Sequence, residues 1–464
     1  MFQFDVRLSG DGRSDLKNSF RQIPGSICAP RGFKCAAVFC DIKRIGTGKG
    51  SEKGQKRDLA LIVSDVPAAV AGMFTTNQVC AAPVKVSAKR VKTVARAIVV
   101  NSGNANACTG RQGLRDAEKM TELAAQVVAA VDDRRNQKDS AVIDRRYRRI
   151  SARDVLVCST GRIGVPLPME NVERGIRACA PLMGRSATNA RLVAEAIMTS
   201  DTRRKEIGVE CEIDNRIVRI GGVCKGAGMI QPGMAPHATM LCFLTTDVAI
   251  SSAALRQCLN EAVSESFNRI TVDGDMSTND SVIILANGMA KNKPIKSGRS
   301  LSIFQVALNF VALELAKMIV RDGEGVSRFV TLHVRGARNA REAEAAARAI
   351  ANSSLVKTSW CGGDPNWGRI LCALGYSSAK ANEALVDVGY AKSGSRDVML
   401  GFRHGRPSNV SLQKMARITS APEFDVHVDL NLGSGKFVMY ASDLTEDYVA
   451  FNKGNVTDAS SLGG

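Results

Sequence analysis

Between positions 221 and 247 the sequence reads GGVCKGAGMIQPGMAPHATMLCFLTTD. The run Met240-Leu241-Cys242-Phe243-Leu244 is short, apolar and bounded by turn residues, so it reads as a buried strand. A loop rich in glycine and proline precedes it, and Thr239 stands at its entrance. A hydroxyl at the mouth of a buried strand suits a nucleophile. β-branched residues also favour strands for their own sake, so the local pattern leaves both readings of Thr239 open.

The chain has 464 residues, enough for two or three domains, and a hydrophobic content of 45% that can bury a large core. No apolar run reads as long enough to span a bilayer. The N-terminus lacks an apolar signal core, and Asp5, Asp11 and Asp15 are out of keeping with a transit peptide. The expected location is the cytoplasm. Thirteen cysteines are scattered without a C-x-x-C pair, which reads as small buried hydrophobes rather than a disulfide framework. Four histidines without ligand spacing give no zinc site.

A net charge of +18 is concentrated in 43–57, 89–96 and 132–153. Nucleic-acid binding is one reading of it. Aromatic residues make up only 5%, and these stretches hold Tyr147 alone, so no stacking platform exists for single strands. Solvated basic loops that also favour anionic substrates are the simpler reading.

Along the chain, residues before about Pro24 form an extension without a periodic core. Strands are expected at 59–63, 69–74, 97–100, 155–158 and 281–286, and helices at 117–131, 190–198, 252–267, 301–320 and 340–351. The residues after Arg44 and those from 132 to about 149 read as surface insertions. Ser159-Thr160-Gly161 is expected to be a strand-to-glycine turn, either a plain turn or a nest of N–H groups for an anion. The oxygen-rich string 272–280 fails as a calcium loop: Thr278 replaces the required glycine, and Ile284 stands where a glutamate is needed. The 46–50 string fails as a phosphate loop on spacing, and no G-x-G-x-x-G follows a strand.

Lys225-Gly226-Ala227-Gly228-Met229-Ile230, followed by Ala238-Thr239-Met240-Leu241, resembles the centre of the ornithine acetyltransferase (glutamate N-acetyltransferase) family. Further similar strings are 101–110, Thr199-Ser200-Asp201-Thr202, 321–325 and 364–370. Where the family places a Met-Ala pair directly before the threonine, this chain has Pro236-His237-Ala238 in between. The resemblance implies self-cleavage between Ala238 and Thr239, after which Thr239 becomes an N-terminal nucleophile. It implies an N-terminal extension of 1–23, an alpha chain of 24–238 and a beta chain of 239–464. It also implies an oxyanion hole at Thr160 and Gly161, and a substrate pocket lined by Thr199, Lys225, Glu324, Asn452 and Thr457.

The implied reaction moves an acetyl group from N2-acetylornithine to glutamate through an acetyl-Thr239 intermediate, in cyclic arginine biosynthesis. No cofactor or metal is implied, although some members of the family also accept acetyl-coenzyme A. The implied assembly is two alpha and two beta chains, without membrane or nucleic-acid partners. The implied fold is α/β: a layered sandwich of mainly antiparallel sheets flanked by helices, similar to that of self-processing aminopeptidases. The alternatives are an aminopeptidase or amidase of that related fold, which would release acyl groups to water, and a basic nucleic-acid-binding protein.

Overall fold

The computed structural model of the protein describes residues 20–43, 56–92, 94–138, 150–232 and 240–453, with the helical backbone alone for 132–138. Among these residues the strands, in chain order, are β1 (Phe20–Gln22), β2 (Phe33–Val38), β3 (Leu59–Phe74), β4 (Val94–Asn104), β5 (Val155–Arg162), β6 (Lys205–Ile213), β7 (Arg216–Lys225) and β8 (Leu241–Thr246). They continue with β9 (Ile270–Thr271), β10 (Ser281–Ala286), β11 (Phe329–Ala337), β12 (Asp387–Lys392), β13 (Met399–Arg403), β14 (Arg406–Pro407), β15 (Glu423–Asp429) and β16 (Gly435–Ser442). The first sheet runs β1-β6-β7-β8-β10-β3-β4-β5, with β2 also on β3; the second runs β14-β13-β12-β15-β11-β16-β9. Most neighbours are antiparallel, and the parallel pairs are β4 with β5, β8 with β10, β11 with β15, and β9 with β16. This is the α/β arrangement of mainly antiparallel sheets flanked by helices that the resemblance implies.

The apolar run at 240–244 is explained by burial on both faces. Cys242 and Leu244 enter one core, with Val282 and Ile284 of β10 and the helices Ser252–Ser264 and Gly298–Arg321. Leu241 and Phe243 enter another, with Ile283, Leu285 and the helix Ala187–Ala196. A strand covered on both sides loses the polar–apolar alternation of a half-exposed one. The second sheet keeps that alternation. Val330, Leu332 and Val334 of β11 and Phe424, Val426 and Val428 of β15 pack with helices such as Ala340–Asn352 and Leu412–Thr419, while the intervening residues face the other way.

Several elements depart from expectation. The strands expected at 59–63 and 69–74 are one continuous strand, whose register against β4 shifts between Val63 and Ala68. Pro67 is exposed inside that shift, where no ladder hydrogen bond is lost. Ser159-Thr160-Gly161 is not a turn: β5 continues to Arg162. The helix Gly298–Arg321 is long and apolar enough to cross a membrane, contrary to the reading of the sequence, but 78% of its apolar window is buried inside the fold. Its apolar surface is a core-forming surface between β6, β7 and the neighbouring helix Ser252–Ser264. Phe20–Gln22, within the stretch read as an extension, pairs with β6 as an edge strand. Most of the two basic insertions lies outside the described residues.

Candidate active site

Thr239, Ala238 and Thr457 lie outside the described residues. The chain is placed from Met240 onward, and there it is fixed from both sides. Leu241 is in register with Lys225 of β7 and with Ser281 of β10, and the Ser281 N–H donates to the Met240 carbonyl (2.8 Å). The strand that follows Thr239 therefore starts between the end of β7 and the start of β10.

Thr160 and Gly161 sit on β5 opposite Ser102 and Gly103 of β4. Gly161 has φ +129°, and a Cβ there would lie 2.4 Å from the Gly103 carbonyl carbon. Only glycine fits that close approach and that backbone conformation. Asn279, at the foot of β10, donates through Nδ2 to the Ser159 carbonyl (2.8 Å) and the Ala105 carbonyl (2.6 Å). The Thr160 end of β5 is thus tied to the segment that holds Met240. Thr160 is 8% exposed, and its hydroxyl makes no hydrogen bond among the described residues.

Thr199 reaches the same region through two links. The Ser102 hydroxyl donates to the Ala196 carbonyl, just before the loop that carries Thr199. The Thr199 N–H donates to Asp201 Oδ2 (2.9 Å), and the other Asp201 oxygen accepts the Gly226 N–H (2.7 Å), next to Lys225. Asp201 also accepts from Lys205 Nζ (2.6 Å), which bridges to Asp322 (2.5 Å). Asp322 in turn receives the N–H groups of Thr202 and Arg203 (both 3.1 Å). Burial by itself would raise the Asp201 carboxyl, but Lys225 and Lys205 outweigh it and hold it well below the usual carboxylate range.

Lys225 is buried, and burial pulls its ammonium down from the ordinary lysine value against the opposing pull of Asp201, Glu324 and Asp280. Glu324 follows the helix Gly298–Arg321, and its N–H donates to the Ala227 carbonyl (3.0 Å). At Gly228 a Cβ would lie 2.5 Å from the Glu324 carboxylate, so a side chain there would displace that carboxylate. Asn452, at the end of the helix Glu446–Asn452, donates to Glu324 Oε2 (3.0 Å). That helix is seated by Gly325, whose φ is +65° and whose Cβ would lie 2.3 Å from the Tyr448 nitrogen. Thr160, Gly161, Thr199, Lys225, Glu324 and Asn452 are therefore linked by strand pairing and hydrogen bonds with short stretches of chain between them.

The sequence reading missed four charged residues here. Asp201 and Asp322 lay inside strings already singled out, and their signal was an acid beside a small residue at an element end. Lys205 gave no such signal, being the third base of Arg203-Arg204-Lys205. Lys43 was read as part of a solvated basic loop. It is 9% exposed, its Nζ donates to the Arg57 carbonyl (2.7 Å), and burial pulls it down to about 8, with Asp201 and Lys225 both close enough to affect it.

The ArgJ family model matches residues 40–455. The chain belongs to the ArgJ family. It is 44% identical over 432 residues to "Arginine biosynthesis bifunctional protein ArgJ" of Symbiobacterium thermophilum, covering 93% of this chain and 98% of that protein. It is 41% identical over 440 residues to "Glutamate N-acetyltransferase" of Methanocaldococcus jannaschii, again covering 93% and 98%. Among solved structures, ornithine acetyltransferase from Mycobacterium tuberculosis, complexed with ornithine, is 34% identical. It covers 47% of this chain and 100% of that chain, with a TM-score of 0.38. The ArgJ match runs through every described residue of the cluster above, from Lys43 to Asn452.

Proposed function

We propose that this protein is a glutamate N-acetyltransferase of arginine biosynthesis, which moves the acetyl group of N2-acetylornithine to glutamate in two half-reactions. The observation that carries the reading is a buried cation, Lys225, with Glu324 held to the Ala227 carbonyl two residues beyond it, beside the strand that follows Thr239, in a chain of the ArgJ family. Both substrates are α-amino acids, so a buried ammonium can hold a carboxylate common to both. Glu324 suits the cationic end of ornithine. The side-chain carboxylate of glutamate then falls to other donors, with Asn452 and Thr457 as candidates.

Cleavage between Ala238 and Thr239 frees an amine that titrates near pH 8 and serves as base for the Thr239 hydroxyl. The hydroxyl oxygen attacks the acetyl carbonyl, the C–N bond breaks, and the amine passes its proton to the departing ornithine nitrogen. Glutamate's amine then attacks the threonine ester and restores the hydroxyl. Thr160 and the Gly161 N–H are suited to the oxyanion of each tetrahedral intermediate. This chemistry needs neither metal nor cofactor, and acetyl-coenzyme A would act only as an alternative donor. Cleavage would leave an alpha chain of 24–238, after an extension of 1–23, and a beta chain of 239–464. Two of each would assemble in the cytoplasm.

Assaying acetylornithine with and without glutamate tests the reading, since an aminopeptidase or amidase would release acetate without the acceptor. Thr160→Ala is expected to lower kcat about 100- to 1,000-fold, with a smaller change in the KM for acetylornithine, because an oxyanion donor acts on the transition state. An unchanged kcat removes Thr160 from the site. Glu324→Gln is expected to raise the KM for acetylornithine about tenfold or more and that for glutamate much less, whereas Lys225→Met raises both. Charge-assisted hydrogen bonds of about 1.5–3 kcal/mol set that scale. Equal losses for the two substrates in Glu324→Gln would refute the division of roles.

A further inference from the structure

The second sheet carries a polar cluster that the acetyl-transfer chemistry does not use. His333 of β11 is directly opposite His427 of β15, and Asp425 lies two residues before His427 on the same face. The side-chain donors of the three lie within 4.8 Å of one another. Thr331 of β11 stands opposite Asp425; on the outer sides β12 places Gly389 and Ala391 beside His427 and Asp425, and β16 places Val438 beside His333.

Asp425 is 4% exposed, yet among the described residues its Oδ1 has no hydrogen-bond partner, and neither has the buried Nε2 of His427. A buried carboxylate oxygen and a buried ring nitrogen without partners are both costly. His333 Nε2 stands 3.6 Å from Asp425 Oδ2, beyond hydrogen-bonding distance. The other requirement of a ligand set is met: the Gly394 N–H donates to Asp425 Oδ2 (2.9 Å), fixing the carboxylate while leaving Oδ1 available.

We propose that His333, Asp425 and His427 form a binding site for a divalent transition-metal cation, with Zn2+ as the fitting ion. Two imidazoles and one carboxylate are borderline-soft donors of the kind zinc takes, and a three-residue set leaves a fourth position for water. The His333 side chain is 33% exposed, so that position is reachable from solvent. At zinc–ligand distances of about 2.0–2.2 Å, the donors must draw closer than they stand here. The rings are stacked 4.5 Å apart at 5°, so their lone pairs must also turn toward a common point. Both adjustments are rotations about side-chain bonds, and the second torsion of histidine is broad. The ion would join two parallel strands whose ligands are far apart in sequence, and so would act as a clip within the second sheet.

The test uses the full-length protein stripped with a chelator, then titrated with Zn2+ in a calorimeter and, separately, with Co2+ in a visible spectrometer. The expected result is one tight Zn2+ per chain, a melting temperature raised by the metal, and a Co2+ spectrum with nitrogen and oxygen ligands only. His333→Ala and Asp425→Asn should each weaken binding at least tenfold and abolish the metal-dependent rise in melting temperature. Asp425→Asn retains an acceptor for Gly394, and acetyl transfer by each variant reports that it has folded. Absence of Zn2+ binding overturns the proposal. So does affinity unchanged in His333→Ala, or a sulfur-to-cobalt charge-transfer band, which would place the ion on cysteines instead.

Discussion

Thr239→Ala is expected to remain a single 49.5 kDa chain and to transfer no acetyl group. In the proposed mechanism the side-chain oxygen has two tasks in succession: it attacks the Ala238 carbonyl to begin cleavage, and after cleavage it accepts the acetyl group. Alanine removes both, and the uncut chain has no free amine at residue 239 to act as a base. Removing the nucleophile of a serine protease costs on the order of 10⁶ in kcat, so activity should fall to background rather than by a measured fraction. Thr239→Ser keeps an oxygen nucleophile and should still give two fragments, with the second beginning at residue 239. Intact mass spectrometry reads both outcomes directly. Two normal fragments from Thr239→Ala would place the nucleophile elsewhere, and a single chain from wild type would remove the amine that the mechanism needs.

How legible this was depends on how local each signal is. β8 was readable because a run buried on both faces is apolar, with turn residues at each end. The helix Ala340–Asn352 was readable from its spacing, and its Asn339 cap confirms the start: the side chain accepts the Glu342 N–H. The path of β5 was not readable. Gly161 looks like the end of a strand, and only pairing with Gly103 shows that the ladder continues through it. Long-range partners explain the other misses. Lys43 reads as solvated among its neighbours in sequence, whereas its surroundings are set by Asp58 and by Lys225 and Asp201, both distant in sequence. The partner of Lys205 at Asp322 is 117 residues away. The His333–Asp425–His427 cluster was missed for the same reason, since metal-ligand spacing was sought within one stretch while the strand register assembles the cluster from two.

Lys205→Met is expected to destabilise the fold by about 3–5 kcal/mol, which is the usual cost of removing one partner from a buried ion pair. The Lys205 side chain is 1% exposed and its two partners 0% and 5%, so water cannot take over when the ammonium is lost. Asp322 would then lose its cation, and Asp201 would keep only the influence of Lys225. Both titration shifts point the same way. Burial opposes the charged form of Lys205, but Asp201 and Asp322 outweigh it and hold its ammonium above the ordinary value of 10.5. Its contribution is therefore complete below that pH and is lost as pH rises through the folded value. Asp201 is held below its ordinary value of 3.8, so its share is present above that pH and is lost on acidification through the folded value. The network thus stabilises across the whole neutral range, and the loss in Lys205→Met should be constant there. Denaturant midpoints at neutral pH measure it, with Lys293→Met, an exposed lysine, as the control expected to stay within about 0.5 kcal/mol. Adding Asp322→Asn to Lys205→Met removes one of the stranded charges and should recover part of the loss. Since Asp201 also holds the Thr199 and Gly226 N–H groups, Lys205→Met should lower kcat/KM under conditions where the variant is fully folded. A loss under about 1 kcal/mol, or no recovery in the double variant, would mean that the two carboxylates are held by something other than Lys205.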